Sequence, residues 1–434
     1  MQTSDNNKKS LFGPATLVTA AFIGPGTVVT ASLAGANFGY ALIWALVFSV
    51  AATMILQEMA ARLGIVTGRG LGENLRQLVQ NPLLRWPLLL LVVAAIVIGN
   101  SAYQGGNISG AALGADALFA DSALVLQWKN YTSVNPWALL LGLVAAVVLW
   151  FGQYKLIERC LIALVILMSL AFIGTMLLTR PDLAALLKGA FWPAIPTGAV
   201  LSVVALIGTT VVPYSLFLHA AAAAQKWPHN NVAPQVAIRA ARQDIAVAIP
   251  LGGLISIAIV STAATAFFGR EQQLDNVAQL AQALTPLFGS AATWCLALGL
   301  VAAGLSSAIT APLAAAYALA GVLNKPLDLK QPVFRATWIF IVLCGVVLSS
   351  LGIRPVNVIW FAQVANGILL PVICLCLLLA MNHSVLGQYR NSRWQNGLGL
   401  VVLLNAQSNL VAELSSYFWA NCQNSSSPIS LPIF

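Results

Sequence analysis

Charge is what this sequence has least of. Only 8% of its 434 residues are Asp, Glu, Lys or Arg, against roughly a quarter in a soluble domain. An ordinary water-soluble globular protein is excluded on that ground. Histidine is confined to His219, His229 and His383, and no HExxH metal-ligand spacing exists. The six cysteines are scattered, and the one close pair, Cys374 and Cys376, has the wrong spacing for a zinc knuckle and lies in an apolar run. They read as small core hydrophobes. There is no nucleophile elbow, phosphate loop or paired-carboxylate motif, so no enzyme and no cofactor is expected. Strands of about ten alternating residues are also missing, which excludes a transmembrane β-barrel.

What is present is hydrocarbon. Hydrophobic residues make up 59% of the chain, in apolar runs that recur from end to end, each long enough for roughly 30 Å of lipid. The fold class is all-α and polytopic. Helices are expected near 14–36, 41–63, 87–111, 136–152, 158–178, 197–224, 245–268, 291–322, 333–352 and 357–381, with a weaker eleventh from 395. The first run has no small-residue cleavage site with a soluble domain behind it and is not read as a signal peptide. The net charge of +9 is a matter of topology. With the N-terminus in the cytoplasm, sixteen of the 21 Lys and Arg fall on inner segments; five (Lys129, Arg180, Lys188, Arg270 and Arg354) fall outside. This is the positive-inside bias. The partners expected are a lipid bilayer and a small transported solute, not nucleic acid, and the location is the plasma (inner) membrane.

Residues 1–10 are expected to form a polar tail, 11–394 the membrane core and 395–434 an atypical C-terminal segment. The last begins like a helix but loses its apolar character after Leu404, at NAQSN. Within the core, "AAFIGPGTVVTASLAG" (20–35) interrupts the first helix at Gly24-Pro25-Gly26, and "ALIGTTVVPYSLFLHAA" (205–221) interrupts the sixth near Pro213. The second lies five helices after the first in the chain. An odd number inverts the second group relative to the first, giving two inverted repeats over about 11–180 and 195–381 whose broken helices meet near the bilayer midplane. Proline removes an amide donor and glycine relaxes the chain. The freed backbone groups are tolerable only where they line a cavity.

The stretch "ANFGYALIWALVFSVAATMILQEMAARLGIVTGRGL" (36–71) resembles the second-helix region of the NRAMP family of divalent-metal transporters. The similarity runs on through "GTTVVPYSLFLHA" (208–220), "AAGLSSAITAPLAA" (302–315) and "FAQVANGILLPVI" (361–373). The resemblance implies a LeuT-type five-plus-five fold and alternating access. Its functional motifs are altered. Where the family has Asp-Pro-Gly-Asn, this chain has Gly24-Pro25-Gly26-Thr27. Val212 replaces a methionine before the sixth-helix proline, and Tyr214-Ser215 replaces His-Asn. Gln104 and Asn107 occupy the positions of an acidic pair associated with proton passage. Leu305 replaces a glutamine in the eighth helix, whereas Gln363 in the tenth is kept.

These losses leave a neutral site. Removing the carboxylate removes about 4 kcal/mol of attraction per unit charge at 4 Å and an effective dielectric of 20, and the thioether that favours transition metals is gone as well. Few other groups can titrate. Glu58 has Arg62 at i+4 and reads as an ion pair. Asp244 is expected to open the seventh helix, where an acid suits the dipole. His219 is expected to be a hydrogen-bonded helix histidine.

Two functions fit. One is a carrier of a divalent cation of the Mn²⁺ or Mg²⁺ type through a carboxylate-free site, without the proton pathway. Its ligands would be carbonyls of Ile23 and Gly24, with Thr27, Thr209 and Gln363. The other is a carrier of a small organic solute such as an amino acid or carboxylate. Gly24 would widen the cavity, amides around Gly26 would receive the carboxylate, and Thr27, Thr30, Thr209, Thr210, Tyr214, Asn107 and Gln363 would supply neutral hydrogen bonds.

Overall fold

A computed structural model describes residues 23–404, except 79–81, 120–121, 123–124, 126, 129–130, 153–154, 228–231, 271–273, 326–327 and 329. The expected polar tail, the first half of helix one, and the C-terminal segment beyond 404 lie outside the described residues. Among those described there is no strand, and eight helices are long and apolar enough to cross a membrane. The protein is an integral membrane protein.

Helix α1 spans Pro25–Phe38, α2 Ile43–Thr67, α3 Leu71–Leu78 and α4 Pro82–Leu118. Next come α5 Pro136–Phe151, α6 Lys155–Thr179 and α7 Leu183–Phe191. The sixth crossing is split into α8 Val200–Thr210 and α9 Pro213–Lys226. Helix α10 spans Pro234–Phe267, α11 Ala292–Leu323, α12 Pro332–Ser349 and α13 Pro355–Met381, and residues 393–404 are again helical. Corresponding members of the two halves pack on each other: α2 on α10, α4 on α11 and α5 on α12. Helix α1 lies along α10 as its counterpart α9 lies along α2. Helix α1 and the split sixth crossing therefore sit at the centre, with α4 and α13 packed beside them.

Two boundaries correct the sequence reading. Helix α10 begins at Pro234, not near 245. Its first three turns are amphipathic, burying Ala237, Ile238, Ala241 and Ile245 while Arg239 and Arg242 face out. A search for apolar runs misses such turns, because their charged face lowers the mean hydropathy. Asp244 consequently sits inside the helix and does not open it. Helix α4 has 37 residues, about 55 Å at 1.5 Å per residue, and extends beyond the expected 87–111 at both ends.

The expected ion pair exists. Arg62 Nη2 lies 3.1 Å from Glu58 Oε2, and Glu58 Oε1 also receives Arg242 of α10 at 2.8 Å. One carboxylate thus joins α2 to α10 at the end of the molecule that the Lys and Arg distribution assigns to the inside. At the other end Arg354 pairs with Asp275 at 3.0 Å. The five described cysteines are free, and Cys374 and Cys376 are core residues as read.

Glu58→Gln leaves Arg62, 4% exposed, without its counter-charge. We expect a loss of about 2–4 kcal/mol, read as a lower midpoint in thermal unfolding of the detergent-solubilised protein. Arg354→Gln, at an exposed pair, should change the midpoint by no more than the equivalent of about 1 kcal/mol.

Candidate functional site between the two helix breaks

Helices α1 and α9 start alike. Helix α1 starts with Pro25 at its first position and Gly24 as an extended N-cap (φ −110°, ψ −175°). Helix α9 starts with Pro213 in the same place and Val212 as an extended N-cap (φ −77°, ψ 117°). Proline suits the first helical position because its missing amide would have had no intrahelical partner there. Neither cap side chain accepts a hydrogen bond, and neither helix has an acid in its first turn. Both N-termini keep their partial positive charge. On the other side of the second break, α8 ends at Thr210, with Val211 N donating to Ile207 O at 2.8 Å.

The breaks meet through side chains 182 positions apart: Thr27 and Thr209 share a hydrogen bond of 2.9 Å between their hydroxyls. Both residues are buried, as are Ile23, Gly24, Gly26 and Gln363. A Cβ on Gly26 would stand 2.3 Å from Gln363 Nε2, and one on Gly208 would stand 2.1 Å from the Gln363 carbonyl oxygen. So α13 presses its Gln363 turn against both interrupted helices, and only glycine admits that approach. Gln363 donates Nε2 to Ile359 O at 3.4 Å, while its Oε1 is buried without a protein partner. The hydroxyls of Thr27 and Thr209 are in direct contact beside Gly24.

Helix α2 completes the second break, a role the sequence reading missed. Gln57 donates Nε2 to Ser215 Oγ at 2.7 Å, and Ser215 Oγ donates to Val212 O at 2.6 Å. Thr53 Oγ1 reaches Thr210 O at 3.4 Å. Thr210 turns its own hydroxyl to Leu206 O at 3.0 Å, so its carbonyl, not its side chain, faces the break.

Asn107 and Tyr214 belong to a neutral polar seam beside the breaks. Asn100, Gln104 and Asn107 are spaced by four and three residues and so share one face of α4; Gln363 and Asn366 do the same on α13. Gln104 donates Nε2 to Ala308 O of α11 at 3.0 Å. The Oδ1 of Asn100, Oε1 of Gln104, Nδ2 of Asn107 and Nδ2 of Asn366 are buried without protein hydrogen bonds. The Tyr214 ring packs on Tyr103 with centroids 5.3 Å apart. A cavity of about 10 Å³ next to Pro213 is lined by Asn100, Tyr214 and Asn366, room for about one water. Asn100 and Asn366 were missed, although a polar stripe at helical spacing in an apolar run is a readable signal. Among the described residues no group of three His, Cys, Asp or Glu is placed to hold a metal ion. His219 corrects an expectation: it is 1% exposed and neither ring nitrogen has a partner. It sits among the apolar residues of α9, whose backbone groups are already used within the helix.

Gly208→Ala should destabilise the fold by about 1–3 kcal/mol, because the methyl meets backbone. Gly26→Ala meets only the tip of Gln363 and should unfold close to wild type while changing the site. Paired thermal-unfolding curves separate the two.

Comparison with known proteins bears on what this arrangement is. A family model described as natural resistance-associated macrophage protein-like matches residues 15–408. The divalent metal cation transporter MntH of Aeromonas hydrophila is 31% identical over 410 residues, spanning 92% of this chain and 95% of the relative. That of Pectobacterium carotovorum is 30% identical over 416 residues, spanning 94% and 95%. A mutant of the Eremococcus coleocola manganese transporter superposes with a TM-score of 0.75 at 20% identity, over 99% of this chain and 92% of that one. Mhp1, a nucleobase-cation-symport-1 family transporter, superposes at 0.54 and 14% identity over 98% and 94%. The fold is that of the LeuT-type five-plus-five transporters.

Proposed function

The chain belongs to the natural resistance-associated macrophage protein-like family, and from that premise we propose that it carries a divalent metal cation across the membrane by alternating access. The cation is of the Mn²⁺ or Mg²⁺ type. The relatives it matches over nine-tenths of its length are divalent metal cation transporters by name. The observation that carries the reading for this chain is the contact of Thr27 with Thr209, which joins the two breaks where a transported ion would sit.

When that contact parts, the two hydroxyl oxygens no longer bond each other. With the Ile23 and Gly24 carbonyls and the unbonded Oε1 of Gln363 they form a shell of oxygen donors. The carbonyl end of α8 adds partial negative charge. Oxygen-only donors suit hard cations, and without a thioether the preference for softer transition metals falls. With no carboxylate, the ion keeps part of its water, as Mg²⁺ does readily. Gln104 and Asn107 do not titrate, so transport proceeds without protons passing through them.

A second reading has its own observation. The uncapped N-terminus of α1, with no acid in its first turn, suits an anionic group, so a small carboxylate-bearing solute is the competing substrate.

Proteoliposomes distinguish these readings. We expect uptake of Mn²⁺ and Mg²⁺ with mutual competition, falling about tenfold in Thr27→Val and Thr209→Val, the scale of one lost ligand. A pH-sensitive dye inside the vesicles should record no acidification during metal uptake. Gly24→Asp should tighten divalent binding by tenfold or more in calorimetry, since it restores the missing Coulomb attraction. No divalent uptake, with uptake of one carboxylate instead, would replace the first reading by the second.

A further inference from the structure

A cavity of about 500 Å³ opens at the end of the molecule where Arg62 lies. It is bounded by the end of α2, the first turns of α10 and the 384–395 segment after α13. Four arginines line it, Arg62, Arg239, Arg242 and Arg390, together with Gln235 and Gln395. All four fall on segments that the charge distribution assigns to the inner side.

The charges in it do not balance. Glu58 is shared by Arg62 and Arg242, and Arg239 and Arg390 have no carboxylate partner among the described residues. Four guanidinium groups against one carboxylate leave an excess of three positive charges around one concavity. Arg62 is pinned by its ends, donating to Tyr389 O at 2.9 Å, Arg390 O at 3.2 Å and Asn391 Oδ1 at 2.7 Å. Its Nε–H is buried with no acceptor. The N-terminus of α10 adds to the same field: Pro234 is at its first position, no acid lies in its first turn, and Gln235 is on the cavity wall. A positive-inside bias alone accounts for arginines on this side of the membrane. It does not account for four of them gathered on one wall around a single shared carboxylate.

We propose that this cavity binds a phosphate group, presented either by a phospholipid headgroup or as free phosphate. Guanidinium forks match pairs of phosphate oxygens and stay charged at every physiological pH. The volume lies within the range of small-ligand sites. A phosphate held there would bridge α2, α10 and the 384–395 segment, neutralising the repulsion that otherwise opposes their approach. The inference does not depend on what the central site carries.

The full-length protein in neutral detergent provides the test. Inorganic phosphate is titrated by calorimetry, and retention of added phosphatidylglycerol is followed by native mass spectrometry. Wild type, the double variant Arg239→Gln/Arg390→Gln and Arg354→Gln at the opposite end are compared. Arg239 and Arg390 are exposed, so the double variant should fold. Wild type is expected to bind at least one probe. The double variant should bind it at least about tenfold more weakly, as expected for lost charge-assisted contacts, and Arg354→Gln should match wild type. Binding of free phosphate assigns a soluble anion; lipid retention without it assigns a headgroup. Failure of both probes, or an equal loss in Arg354→Gln, overturns the proposal.

Discussion

Hydrocarbon offers no hydrogen bonds to a broken helix, and that constraint organises the molecule. Each interruption frees backbone groups that cost several kcal/mol apiece if they face lipid. The chain splits its sixth crossing and places the start of α1 against that split at its centre, with Thr27 bonded to Thr209 across the join. The surrounding packing serves the same end. Gln57 of α2 donates to Ser215 at the second break, and glycines at 26 and 208 let the Gln363 turn of α13 close over both helices.

Much of this was legible in the sequence, because the relevant signals are local. Pro25 and Pro213 with their neighbours mark the breaks. The odd offset of five helices from one to the other fixes the inversion, and sparse charge with long apolar runs fixes the class. Thr27, Thr209 and Gln363 were identified together, and the structure brings them to one place. What could not be read depends on which faces meet. The start of α10 was hidden because its first turns are amphipathic. The link from Gln57 to Ser215 joins residues 158 apart, and no local pattern encodes it. His219 carries no sequence mark that would show its ring to be without a partner.

Charge is distributed with equal economy. Glu58 with its arginines lies at one end and Asp275 with Arg354 at the other. Between them the described centre holds neutral amides and hydroxyls. Several of these amides keep one buried atom without a protein hydrogen bond, which marks the seam as a place for water or solute more than as a rigid core. A site of this kind binds loosely. Transport gains from that, since a carried ion must leave as well as enter, while selectivity suffers, because neutral oxygens discriminate hard cations poorly.

The two main departures that the resemblance implies, the carboxylate and the acidic pair, then share a common cause in the proposed mechanism. A carrier with a carboxylate in its site must reorient empty with an uncompensated negative charge near the bilayer centre, where ionised groups are expensive. A nearby titrating pair that delivers a proton relieves that penalty. If Gly24 stands where the resemblance places the carboxylate, the proposed site is neutral when empty, and returning it carries no such electrostatic penalty. The acidic pair then has no charge left to neutralise. Gln104 stands at one of its two positions and is free to tie α4 to α11 instead, through its bond to Ala308. On this argument the proton pathway and the metal-binding carboxylate are one device, and a chain that abandons one has no physical reason to keep the other.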